Sequence, residues 1–135
     1  MLGKGVAIAL SAVPGVAALC FLWLYVTFAE RGNIRPGTPA SYLLIHQSLR
    51  SIEPIDQCAP LTFSRYFQEC GGTCGEKQNV EFGTTATLAD LNAAYDLDAI
   101  GNAMEVDEVD MILVSDPKLP EGCVSAVIRT YDPID

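Results

Sequence analysis

A chain of 135 residues with 17 acidic against 8 basic side chains carries a net charge of −9. All but one of the acids lie beyond Pro36, which excludes the cationic patches needed to bind DNA, RNA or an anionic lipid surface. The length suits one small domain, and no internal repeat or low-complexity tract divides it.

The first predicted element is the uncharged apolar run Gly5 to Phe28. As a helix it would be about 36 Å long, enough to cross a hydrocarbon core with some tilt. Phe21, Trp23, Tyr25 and Phe28 gather at its C-terminal end, where amphipathic rings suit a membrane–water interface. Residues 1–30 therefore read as a retained single-pass anchor, contacting the lipid bilayer through residues 5–28. The competing reading is a secretory signal cut after Ala29, because Thr27 and Ala29 are small residues at the positions a signal peptidase inspects. Against it, the run exceeds the roughly 7–15 apolar residues of a signal. Pro14 predicts a kink. Gly5, Ala9 and Ala12, with Ser11 four before Gly15, permit close packing against a partner helix.

Lys4 on one flank and Arg31 and Arg35 on the other do not discriminate orientation. The cysteines do. Cys58, Cys70, Cys74 and Cys123 form an even set in a small domain, and such sets persist as disulfides in oxidising compartments. No Asn-x-Ser/Thr sequon is present. The expected location is a bacterial inner membrane, with the N-terminus cytoplasmic and the C-terminal domain periplasmic.

Residues 31–37, rich in Gly and Pro, are predicted to be a linker, and residues 38–135 an extracytoplasmic domain. Thr38 as N-cap and Pro39 at the first helical position open a helix. Tyr42, Ile45, His46 and Leu49 fall at i, i+3, i+4 and i+7 along it, and Leu43 and Leu44 widen that apolar stripe. These six residues are the predicted partner interface. A second helix is predicted over Leu61–Cys70, with Phe63, Tyr66 and Phe67 as its apolar side and Gly71-Gly72 as its stop. Asn79–Phe82 reads as a short strand.

Thr87 and Asp90 have capping-box spacing and open a helical stretch to about Met104, broken near Asp96-Leu97-Asp98. Val109–Ser115 is a compact apolar run suited to a buried strand, and Cys123–Tyr131 alternates as a second strand. Together they predict a hairpin. The expected fold class is α+β: an N-terminal transmembrane helix, then a small disulfide-stapled domain of short helices ending in an antiparallel β-hairpin.

Cys70-Gly-Gly-Thr-Cys74 is the local motif with the most chemistry in it, since two thiols at that spacing can meet one copper ion or each other. A metal site needs further ligands, and the chain has a single histidine. Structural disulfides are the expected role. A helical Leu61–Cys70 would hold Cys58 and Cys70 about 15 Å apart, so the predicted pairs are Cys58–Cys74 and Cys70–Cys123.

His46 sits on an apolar stripe and reads as a packed or interface residue. Ser41 and Ser48 lack a nucleophile elbow. Asp96, Asp98, Gly101 and Asp107 echo a calcium loop, but Ile100 offers no oxygen at the fifth position, and solvated acids account for the pattern. No catalytic, cofactor or metal residue is assigned. The expected function is that of a membrane-anchored accessory or assembly subunit of a bacterial envelope complex. It would act by protein–protein binding to integral membrane or envelope subunits. The alternative is a periplasmic thiol–disulfide or copper-handling protein using Cys70 and Cys74.

Overall fold

The computed structural model describes residues 2–68 and 74–134, with the side chains of the first helix from Val13 to Thr27. In chain order the elements are α1 (Leu2–Phe28), β1 (Arg31–Ile34), α2 (Pro39–Leu44), α3 (Gln47–Arg50) and β2 (Gln57–Gln68). Then come β3 (Cys74–Thr84), α4 (Leu88–Ala94), α5 (Leu97–Met104), β4 (Glu108–Val114) and β5 (Val124–Ile134). The strands form one antiparallel sheet in the order β1-β2-β3-β5-β4.

The predicted C-terminal hairpin is present, paired from Glu108↔Tyr131 to Val114↔Ser125. The predicted helix over Leu61–Cys70 is corrected: residues 61–68 belong to β2. Phe63, Tyr66 and Phe67 satisfy helical spacing, yet Leu61, Phe63, Arg65 and Phe67 also alternate with Thr62, Ser64, Tyr66 and Gln68. Pairing along β3, with Phe63 opposite Val80, decides for the strand. The stretch read as a linker contains β1, whose Ile34 is fully buried opposite Phe63.

One sheet face carries Phe63, Val80, Phe82, Met111, Ala126 and Ile128 into a core completed by Ile34, Leu44, Ile45, Leu49 and Leu91. Each large apolar side chain fully buried there contributes about 1.5–3 kcal/mol. The opposite face is polar, with Ser64, Asn79, Arg129 and Asp110 in one cross-strand row and Tyr66, Lys77, Tyr131 and Glu108 in the next.

The helices begin where their caps dictate. The Thr38 hydroxyl accepts from the Ser41 N–H ahead of Pro39. The single helix expected after Thr38 is divided, because Ile45 is extended and His46 caps α3. The break lets the adjacent Leu44 and Ile45 both enter the core. Thr87 and Asp90 form the reciprocal capping box, and Asp96 Oδ1 accepts from the Ala99 N–H at 3.0 Å at the head of α5. Helix α5 thus occupies what resembled a calcium loop. Thr87→Ala should cost about 1 kcal/mol in denaturant unfolding; an unchanged midpoint would show that packing alone holds α4.

The transmembrane part of the expected fold class is also corrected. Among the described residues no helix is long and apolar enough to cross a membrane. What stands is an α+β fold with a five-stranded antiparallel sheet and a disulfide.

That disulfide joins Cys58 to Cys123, with Cα atoms 6.0 Å apart, and overturns the predicted pairs Cys58–Cys74 and Cys70–Cys123. The earlier pairing depended on a helix that is a strand. Cys58 lies on β2 and Cys123 precedes β5, so the bridge crosses the intervening β3. Gly83 makes the crossing possible. A Cβ there would clash with Ala59 Cβ and stand 2.8 Å from Cys123 Sγ. Gly83→Ala should therefore destabilise the domain by about 1–3 kcal/mol, the usual cost of overpacking. An unfolding midpoint equal to that of the native protein would contradict this crowding.

Candidate functional site

Apolar side chains at the surface, rather than a polar constellation, mark the chemistry of this chain. Every residue from Val13 to Tyr25 on α1 is exposed, including Leu19, Phe21 and Trp23, whose exposures are 68%, 74% and 63%. An apolar stretch exposed over this length of helix marks an interaction element.

The domain grips this helix at one end. The last turn of α1 has no basic residue of its own, and its terminal carbonyls carry the negative end of the helix dipole. Arg65, on β2 and only 7% exposed, supplies the missing cation. Its Nη1 donates to the Val26 carbonyl, its Nη2 to the Thr27 carbonyl at 3.3 Å, and its Nε to Glu76 Oε1 at 2.7 Å. Glu30 Oε1 accepts from the Phe67 N–H at 2.9 Å, adding a second tie just beyond the helix. The network continues beyond Glu76. Gln78 Nε2 donates to Glu76 Oε1 at 2.9 Å, and the His46 N–H donates to Gln78 Oε1 at 2.7 Å. An unbroken series of hydrogen bonds thus links the end of α1 to the head of α3.

The six predicted interface residues divide. Leu44, Ile45 and Leu49 are between 0% and 3% exposed and belong to the domain core, so their place in an interface is corrected. The two-helix arrangement turns them inward, where a single continuous stripe would have set them beside Tyr42. Tyr42, Leu43 and His46 remain at the surface. Arg50 lies 4.8 Å from the Tyr42 ring centroid, a cation–π contact that braces the exposed ring. His46 Nδ1 accepts from the Ser48 N–H at 3.0 Å, so the sole histidine works as a helix cap.

Of the predicted disulfide cysteines, Cys58 and Cys123 are bonded to each other. Cys70 lies outside the described residues, as does the side chain of Cys74. Cys20 is free and exposed on α1. Among the described residues no group of three His, Cys, Asp or Glu could hold a metal ion. A cleft of about 950 Å³ opens where β4 meets α5, lined by Leu97, Val106 and Val109 with Asp98, Asp107 and Glu108. Nearby, Arg129 Nε donates to Asp110 Oδ1 at 2.8 Å, which holds the Asp110 carboxyl below its ordinary value. Both partners are half exposed, so the pair adds little stability.

Arg65 and Glu76 are the functional residues that sequence reasoning missed. The signal was the period-two alternation of residues 61–68, which places Arg65 on the inward face between Phe63 and Phe67. The chain matches no family model, no curated protein and no solved structure.

Proposed function

We propose that this protein is a binding subunit, an accessory or assembly component of a bacterial envelope complex, whose partners are integral membrane or envelope proteins. The observation that carries this reading is the exposed apolar surface of α1, set in a fixed direction by Arg65. Tyr42 and Leu43, 63% and 40% exposed, add apolar surface on the domain itself. An extracytoplasmic location accords with the Cys58–Cys123 disulfide, since such bonds persist in oxidising compartments.

Photo-crosslinking amino acids at positions 19 and 43, introduced into the full chain in its native envelope, test the proposal. Each should give a discrete protein adduct. Leu43→Asp should reduce the adduct from position 19 several-fold while changing folding stability by less than about 0.5 kcal/mol, as expected for an exposed side chain. Absence of protein adducts at both positions would defeat the reading.

A second reading rests on the remaining cysteines. With Cys58 and Cys123 bonded, Cys70 and Cys74 are the remaining cysteines of the domain sequence. Rapid alkylation of both in the native protein, beyond the free Cys20, would favour thiol–disulfide or copper chemistry. Resistance to alkylation without reductant would assign them to a second structural bridge.

A further inference from the structure

The sheet has two edges of different character. β1 is four residues long and its register slips between Arg31 and Ile34, features that blunt an edge. β4 is seven residues long and pairs with β5 without a slip from Glu108 to Val114. No strand among the described residues pairs with its outer side. A regular edge of that length offers unpaired N–H and C=O groups over about 23 Å, a template for one more strand.

The surroundings of this edge are acidic. Asp107, Glu108 and Asp110 are all exposed, and Asp98 faces them across the cleft. Two cations are present. Arg129 is engaged by Asp110, and Lys77 lies over the Tyr131 ring, 5.8 Å from its centroid. Burial, and after it the charges of Glu76 and Asp107, raise the Asp132 carboxyl above its ordinary value. Leu97, Val106 and Val109 give the same cleft an apolar floor.

We infer that the β4 edge and the adjoining cleft receive an extended segment of a partner protein in which basic residues alternate with aliphatic ones. Backbone bonds to β4 supply register, aliphatic side chains lie on the Val109 side toward the cleft, and the basic side chains meet Glu108, which shares the polar face with Asp110. A second copy is the poorer occupant, because two chains of net charge −9 repel. The inference builds on the reading of the chain as a binding subunit, but α1 crosslinking tests that reading separately, so the two fail independently.

The test uses the full chain in a neutral detergent with an acetylated (Lys-Val)4 peptide, and a (Glu-Val)4 peptide as control. Saturating basic peptide should slow hydrogen exchange at alternate amides between residues 108 and 114 by at least about tenfold, with binding that weakens as salt rises. The variant Glu108→Gln should bind about two- to fivefold more weakly, the loss of one cross-strand charge pair. Its melting temperature should be unchanged, since the Glu108 side chain is exposed. Equal binding of the acidic peptide, or no slowing at 108–114, would overturn the inference. Protection that appears without peptide and grows with protein concentration would give the edge to a second copy and overturn it as well.

Discussion

Replacing Cys123 with serine should lower the stability of the domain by about 4 kcal/mol. The bridged residues are 65 apart in sequence, and opening a loop of that size restores conformational entropy to the unfolded chain worth about that amount. Small domains have total stabilities of roughly 5–15 kcal/mol, so this single bond decides much of the margin. Its position adds to the effect. The bond ties β2 to the entry of β5 across β3, fastening three strands at the same end of the sheet. Denaturant unfolding of Cys123→Ser, compared with native protein under oxidising conditions, measures the loss. The Cys58→Ser variant should match it, because both remove the same cross-link. Coincident midpoints for native protein and variants would refute the assignment.

What the sequence made legible was local. The caps at Thr38 and Thr87 act within three residues, so a hydroxyl ahead of a helical pattern was enough to find them. The β4–β5 hairpin announced itself through alternation in β5 and a compact apolar run in β4. What failed was non-local. Residues 61–68 satisfy two periods at once, and only pairing with β3 chooses between them. From that one misreading followed the wrong disulfide pairs and the invisibility of Arg65. A charge in a supposed helix suggests a solvated face, whereas the same charge on the inner face of a strand requires a buried partner. The interface residues failed for a related reason. A stripe at i, i+3, i+4 and i+7 presumes an uninterrupted helix, and the break at Ile45–His46 sends Leu44, Ile45 and Leu49 inward while Tyr42 and Leu43 stay out.

Arg65→Met should both destabilise the protein and release α1 from its fixed direction. Removing the guanidinium leaves Glu76 without its ion-pair partner and the Val26 and Thr27 carbonyls without their donor. Breaking a buried pair in this way costs about 3–5 kcal/mol, chiefly because the remaining charge is desolvated and unpaired. The double variant Arg65→Met/Glu76→Gln separates the two effects. Neutralising Glu76 should recover a large part of the stability, since no charge is then stranded, but it restores nothing at the end of α1. Spin labels at Cys20 and at Thr85→Cys, an exposed site, would follow the helix direction. The native background should give one narrow distance distribution, and both Arg65 variants a broad one. A narrow distribution in Arg65→Met would show that Glu30 and the backbone suffice to hold α1, and Arg65 would then be a stability residue alone. The distinction matters for binding. A helix already held in its docking direction avoids the entropy of being ordered at the moment of association, so loss of the Arg65 contact should weaken partner capture even where the apolar surface of α1 is intact.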